Sequence, residues 1–394
     1  MRTRTLLPVG LIGGAALALT ALTPGYAVAT TWVSPTDSWW STAVWSGPVP
    51  GAGDDVVFAG GPRSTYDLGN LGFESFRFDL THTIANGGGG ITLRSGIVVS
   101  PVSVATIEPQ LTTFQSQQWS VAAGGLLSLP SQVNADPTQT LTLEIDGIME
   151  VTGNLDGGGT ACIVKTGLGV LRFANGGGGV GSCSGGPEGL RVEAGFVEIA
   201  SGAALGGKSF AVFGGELTGG ETMAPGVVRQ LNLGAGGTVS PGPALGSGIG
   251  TLDLWGTSAW NGGNYVVDWD PASGASDLVL GTGQAISVDG TVLAPRVLAG
   301  STPDTERSFP VLSSDVVFTG AFSSPAGDVL RDGDEFVSDG QVYRYGQGSN
   351  TITVTWLREA PVPPGPPTPN PPAPVPPAPA PPQRIDTAAA GLSR

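Results

Sequence analysis

The chain is poor in basic groups. Only two lysines and one histidine occur in 394 residues, and 17 Lys+Arg face 32 Asp+Glu, a net charge of −15. Nucleic acid requires a basic surface that displaces counterions, so it is excluded as a partner. Polyanionic substrates and anionic lipid surfaces are repelled by the same excess. With His82 as the sole histidine and no G-x-S-x-G motif, a Ser/His/Asp or Cys/His constellation has little to build on. One histidine and two cysteines also leave no basis for a metal centre, and no cofactor is expected. Beyond the N-terminus no run reaches the ~20 apolar residues that span a bilayer. Nor does a helical period persist over about 11 residues.

What is present is glycine and short apolar runs. There are 65 glycines and 33 prolines, 40% of residues are hydrophobic, and only 12% are charged. The glycines bracket runs of Val, Ile, Leu, Thr and Phe, the mark of short strands joined by tight turns. An all-β fold follows.

Residues 1–29 have the form of a secretory signal. Arg2 and Arg4 precede an apolar stretch over 6–22, and Ala27-Val28-Ala29 offers a small-x-small cleavage site between Ala29 and Thr30. The mature chain is expected to be exported, secreted or held at the cell surface, and not membrane-spanning. Export permits a disulfide, and Cys162 and Cys183 are the one available pair. They lie about one coil apart, and coils stacked ~4.8 Å apart bring Cα atoms within disulfide reach.

Strand-like runs recur over 75–80, 90–94, 140–145, 170–173, 190–193, 196–200, 231–233, 251–254, 265–269, 278–280, 291–294, 309–312 and 351–357. Leu141, Leu143 and Ile145 share one face, with Thr140, Thr142 and Glu144 on the other. Single apolar faces returning at irregular intervals of about 15 to 25 residues cannot be buried alone and must stack. A right-handed parallel β-helix, a β-solenoid, satisfies this, whereas a β-sandwich has no room for so many strands. The expected divisions are 30–225 and 226–357 within the solenoid. A tail at 358–394 carries the proline-rich run 361–382, expected to be a polyproline-II spacer without a core.

Residues 161–207 carry the most regular pattern. Lys165-Thr-Gly-Leu-Gly-Val-Leu-Arg-Phe-Ala-Asn, then Gly189-Leu-Arg-Val-Glu-Ala-Gly-Phe-Val-Glu-Ile and Ala204-Leu-Gly, resemble the autotransporter-associated β-strand repeat. Gly237-Thr-Val-Ser-Pro-Gly, Gly250-Thr-Leu-Asp-Leu, Tyr265-Val-Val-Asp-Trp, Ala275-Ser-Asp-Leu-Val and Gly290-Thr-Val-Leu follow in the order of an autotransporter passenger's C-terminal region. The resemblance implies a passenger-like β-helix. Such proteins continue past a proline-rich linker into a membrane β-barrel. Here the sequence stops at the linker, so a truncated gene, a barrel-less relative or a separately encoded outer-membrane barrel is expected.

Other motifs are weighed against plainer readings. Gly202-Ala-Ala-Leu-Gly-Gly-Lys-Ser matches the phosphate-loop pattern, but Phe210-Ala-Val-Phe reads as a strand where a helix is required. His82 is expected on a solvent-facing strand position. Asp54-Asp55 and Asp332-Gly-Asp-Glu read as turn-capping carboxylates. Arg191, Glu193 and Glu198 are expected to point outward as an ordinary solvated strand face. Trp32, Trp39, Trp40 and Trp45 are expected to cover the open solenoid end, with stacking on sugars as the alternative. The resulting expectation is a non-enzymatic surface or secreted protein in adhesion or cell-surface structure, with surface glycans or proteins as partners. The alternatives are a β-helical polysaccharide lyase or hydrolase, or a carbohydrate-binding module using the tryptophan cluster.

Overall fold

The computed structural model describes residues 29–33, 38–39, 45–156, 162–174, 177–180, 188–200, 202–207, 209–220, 225–244, 248–283, 285–298 and 305–361. Residues 1–28 of the expected leader at 1–29, and residues 362–394 of the expected tail at 358–394, lie outside them. No helix occurs among the described residues. The strands form a β-solenoid of three sheets, of 15, 11 and 9 strands.

From Cys162 onward each coil contributes one strand to each sheet, whereas the strands of earlier coils all belong to the first two. Thr140–Ile145 leads into Ile148–Val151 and then Leu155–Asp156, and the chain returns to the first face one level higher at Cys162–Thr166. The first sheet runs from Thr30–Trp32 to Ile286–Ser287, the second from Arg63–Tyr66 to Val292–Val297. Parallel register places like positions over one another. Leu141 lies over Ile163, Leu190, Phe210 and Leu231 in a single inward column, all buried. Full burial of each such side chain stabilises the stack by about 1.5–3 kcal/mol before entropy is counted. Pairing runs unbroken across the expected 225/226 boundary. Ala204–Gly207 pairs with Gly226–Val228, and Glu216–Gly219 with Thr238–Pro241.

The expected strands at Thr140–Ile145, Val170–Phe173, Leu231–Leu233 and Thr251–Leu254 are present with those bounds. Five further strands between residues 100 and 135 were not expected, among them Val104–Ile107, Gln117–Val121 and Leu126–Leu129. Most of their apolar residues, such as Trp119 and Val121, face inward and are buried, while Val104 and Leu126 are half-buried. Threonine, serine and glutamine occupy the rest and mask the alternation.

Both ends are closed by aromatic side chains. At the first coils Trp32, Trp39 and Trp45 pack against Phe58, Tyr66, Phe73 and Phe76. Trp32 and Trp45 meet edge-on at 4.9 Å, and Trp39 and Tyr66 at 5.1 Å. The last strands turn antiparallel: Arg307–Ser314 pairs with Thr351–Glu359, which pairs with Gln341–Gln347 and through it Glu335–Ser338. Trp269 anchors this cap, stacked on Phe309 at 5.0 Å and donating its ring N–H to the Tyr343 hydroxyl at 3.2 Å.

Candidate functional site

Among the described residues, the inward columns contain one lysine. Lys165 occupies the column of Ile97, Trp119, Leu143, Val192 and Val212 and is fully buried. Its ammonium donates to the carbonyl oxygens of Thr166 (2.7 Å), Gly167 (2.7 Å) and Ala194 (3.1 Å). Burial pulls its pKa down to about 8, against a smaller upward pull from Asp146. The two turns that supply these carbonyls carry Gly167 and Gly195 at positive φ, 74° and 67°. A Cβ on Gly195 would sit 2.8 Å from Lys165 Nζ and collide with the carbonyls of Gly167 and Gly169. The lysine and glycines of the repeat are therefore one device: a cation closing a ring of backbone acceptors.

Carboxylates gather farther along the solenoid, at a cleft of about 250 Å³ lined by Glu216, Thr218, Ser240, Asp268 and Arg296, with Phe196 at one edge. Asp268 and Arg296 are register neighbours, and the guanidinium holds both carboxylate oxygens through Nε and Nη2, the latter at 2.9 Å. The Asp268 side chain is 7% exposed and that of Arg296 51%. Asp277 lies behind this pair, fully buried. Its oxygens accept the backbone N–H groups of Gly250 (2.8 Å) and Asp268 (2.9 Å). Desolvation nonetheless raises its pKa to about 8, and the nearby Asp268 charge adds to that. Glu216 is also raised by burial, opposed by Arg296. A glycosidase needs one acid and one free base or nucleophile. Asp268 has both oxygens committed to Arg296.

Phe196, Ser240 and Asp268 of this cleft fall within the repeat-like motifs of the sequence, but none of the candidate site residues lies in it, and the structure corrects several of those. His82 does not face solvent. It is 1% exposed, stacked on Phe58 at 4.6 Å, with Nε2 at 2.8 Å from the Ser64 hydroxyl and Nδ1 at 2.7 Å from the Gly61 carbonyl. Burial lowers its pKa. His82 and Ile84 share the inward face of His82–Asn86, an i, i+2 signal present in the sequence. Glu198 is likewise not solvated. It lies on the outward row of the second sheet but is 6% exposed, paired with Arg172 at 3.7 Å and raised in pKa by burial. Arg191 and Glu193 form a separate pair at 3.1 Å on the first face, with the Arg191 guanidinium 4.8 Å over the Phe213 ring. The three residues do not form one cluster.

Sugar stacking fails for Trp32, Trp39 and Trp45, which are at most 5% exposed and occupied by one another. Trp40 lies outside the described residues. Cys162 is buried at the start of its strand, and its expected partner Cys183 lies outside the described residues. Ala29 is exposed, while Thr30 is buried and opens the first strand. The phosphate-loop match falls across Ala204–Gly207 and Ser209–Val212, both strands, with Lys208 outside the described residues. The turn-cap readings are met at Asp54, which accepts the Gly51 N–H at 2.7 Å, and at Asp334, which accepts that of Arg331 at 2.8 Å. Among the described residues no group of three or more His, Cys, Asp or Glu is arranged to hold a metal ion, and no helix could cross a membrane.

No protein-family model matches the chain, and no curated protein does. Among solved structures it is similar to the Hap adhesin of Haemophilus influenzae, at 11% identity and a TM-score of 0.40. That alignment covers 77% of this chain and 40% of the adhesin, so the chain spans less than half of that protein's length.

Proposed function

We propose that the chain is exported and acts as a non-enzymatic β-helical shaft at the cell surface or in the medium, in adhesion or surface structure, in the manner of an autotransporter passenger. The observation that carries this reading is the unbroken parallel stack, closed at one end by the tryptophan cluster and at the other by an antiparallel cap. Such a design suits display of a long, rigid, acidic surface. The state of the buried carboxylates supports it further, since Asp268, Asp277 and Glu198 are each engaged by a guanidinium or by backbone amides. The secretory character of residues 1–29 supplies the route, and Cys162 bridged to Cys183 would tie adjacent coils after export.

Cell fractionation with surface proteolysis tests the location. The chain is expected in the medium or protease-accessible on intact cells, and retention in the cytoplasm overturns export. Incubating the purified chain with polyuronates and neutral glycans tests the chemistry. Release of reducing ends or of unsaturated sugars would replace the shaft with a polysaccharide-active enzyme built on the Glu216–Asp268 cleft.

A further inference from the structure

Eight of the nine tryptophans fall within the described residues, and seven of those are at most 6% exposed. Trp255 departs from them at 58% exposed. It follows Thr251–Leu254 on the third face, anchored by its backbone N–H to the Val228 carbonyl at 3.0 Å. Its ring N–H is also held, donating to Asp253 Oδ2 at 2.7 Å. The other oxygen of Asp253 accepts the Thr282 hydroxyl at 3.0 Å. Thr282 stands beside Trp255 on the next coil, where its N–H meets the Leu254 carbonyl at 2.8 Å. One position on, Asp315 accepts the Gly283 N–H at 2.7 Å.

An exposed indole ordinarily leaves its polar edge to water and its ring free to turn. This one is fixed by protein contacts at both the backbone and the ring nitrogen, so its aromatic plane is set before anything binds. Ordering that would otherwise oppose binding is already complete. A hexopyranose is the ligand class that fits, with an axial C–H face that packs on an aromatic ring and hydroxyls projecting from its rim. Asp253 has about four acceptor positions, of which two are used, so it retains capacity for a sugar hydroxyl beside the ring. Thr282 adds a second polar group one coil away. Asp253, Asp315 and the net charge of −15 disfavour acidic sugars. A protein interface is the poorer fit, because it needs a contiguous packed core, and the exposed neighbours of Trp255, Arg229 and Thr282, are polar.

We infer that Trp255, with Asp253 and Thr282, forms a binding subsite for an uncharged hexose polymer on the third face of the solenoid. This goes beyond the export reading and is independent of it, because binding is measured on the purified chain wherever the cell places it.

The test is isothermal titration of the full chain with cellohexaose, laminarihexaose and mannohexaose, and with hexagalacturonate as the acidic counterpart. At least one neutral hexasaccharide is expected to bind and to shift tryptophan fluorescence. Trp255→Ala should weaken that binding at least about tenfold, and Trp255→Phe by less, with thermal melting unchanged. Asp253→Asn should weaken it by a smaller factor. The inference is overturned if no neutral sugar binds, if Trp255→Ala binds as well as the parent, or if hexagalacturonate binds best. Concentration-dependent self-association that Trp255→Ala abolishes, without sugar binding, would assign the indole to contact between two copies.

Discussion

Lys165 and Asp277 are the same solution in opposite signs. Each is fully buried, each is satisfied mainly by backbone, and each has a pKa moved to about 8 by desolvation. Lys165 sits where successive glycine turns present three carbonyl oxygens. Asp277 sits where two backbone N–H groups converge. In a parallel solenoid the ladder satisfies backbone groups along the strands, while groups at the corners must find other partners. A corner of acceptors takes an ammonium donor and a corner of donors takes a carboxyl acceptor. The shared displacement shows that neither charge recovers all of its hydration.

The largest disruption should come from the glycine that makes room for Lys165. Gly195→Ala forces a side chain into positive φ and into two carbonyl oxygens, and should cost about 3 kcal/mol in urea unfolding. A loss below about 1 kcal/mol would mean that the turn relaxes and the carbonyl ring is not rigid. Lys165→Met is expected to cost somewhat less, about 2 kcal/mol, since orphaned carbonyls are partly offset by removing a buried charge. Its pH signature is distinctive. A folded pKa near 8, below the ordinary 10.5, means the native state releases its proton first. The burial penalty is complete below pH 8 and is relieved as pH rises toward 10.5. The parent should therefore gain stability relative to Lys165→Met across that window, and a flat difference would refute the buried charge.

Much of the scaffold was readable because alternation and register express one constraint. Leu141, Leu143 and Ile145 announce an inward face, and the coil above must match it. Lys165 was not readable as an interior group. In Ile163-Val164-Lys165 the period places the lysine inward, but composition argues the reverse, and only the carbonyls of a neighbouring coil decide between them. Glu198 shows a second limit, since alternation placed it on the correct face but could not foresee its burial. Asp277 falls within the passenger-like Ala275-Ser-Asp-Leu-Val motif, but nothing local marks its burial, and nothing local marks the exposure of Trp255. The partners of Asp277 are nine and 27 positions distant, and Trp255 differs from the other described tryptophans by exposure alone.

Asp277→Asn sharpens the contrast at a smaller scale. An amide has one acceptor oxygen for two backbone donors, so one N–H is left unpaired, a loss of about 1–2 kcal/mol near neutral pH. The sign of the pH effect is opposite to that of Lys165. A folded pKa near 8, above the ordinary 3.8, means the native state holds the proton longer. Its stabilising contribution is complete below about pH 3.8 and is lost as pH rises through 8. The parent should therefore lose stability relative to Asp277→Asn between pH 4 and 8. Joint titration of both variants should place the minimum of the two contributions near pH 8.

Arg77→Gln should have the least effect, and for that reason it isolates burial as the cause of the others. Arg77 and Asp79 form an ion pair at 2.8 Å, with side chains 58% and 33% exposed. The Arg77 bond holds the Asp79 pKa below its ordinary value, with a smaller contribution from the Ser100 hydroxyl. Stability from that pair is present above the ordinary carboxylate range and fades as pH falls through it. Exposed pairs contribute about 0–1 kcal/mol and are screened by salt. Arg77→Gln should therefore change unfolding free energy by no more than about 0.5 kcal/mol at pH 7, and by still less at 1 M salt. The charge is the same as that of Lys165, and Asp79 bears the same group as Asp277. If Arg77→Gln cost as much as Lys165→Met, ion pairing rather than desolvated backbone at the corners would govern the stability of this solenoid.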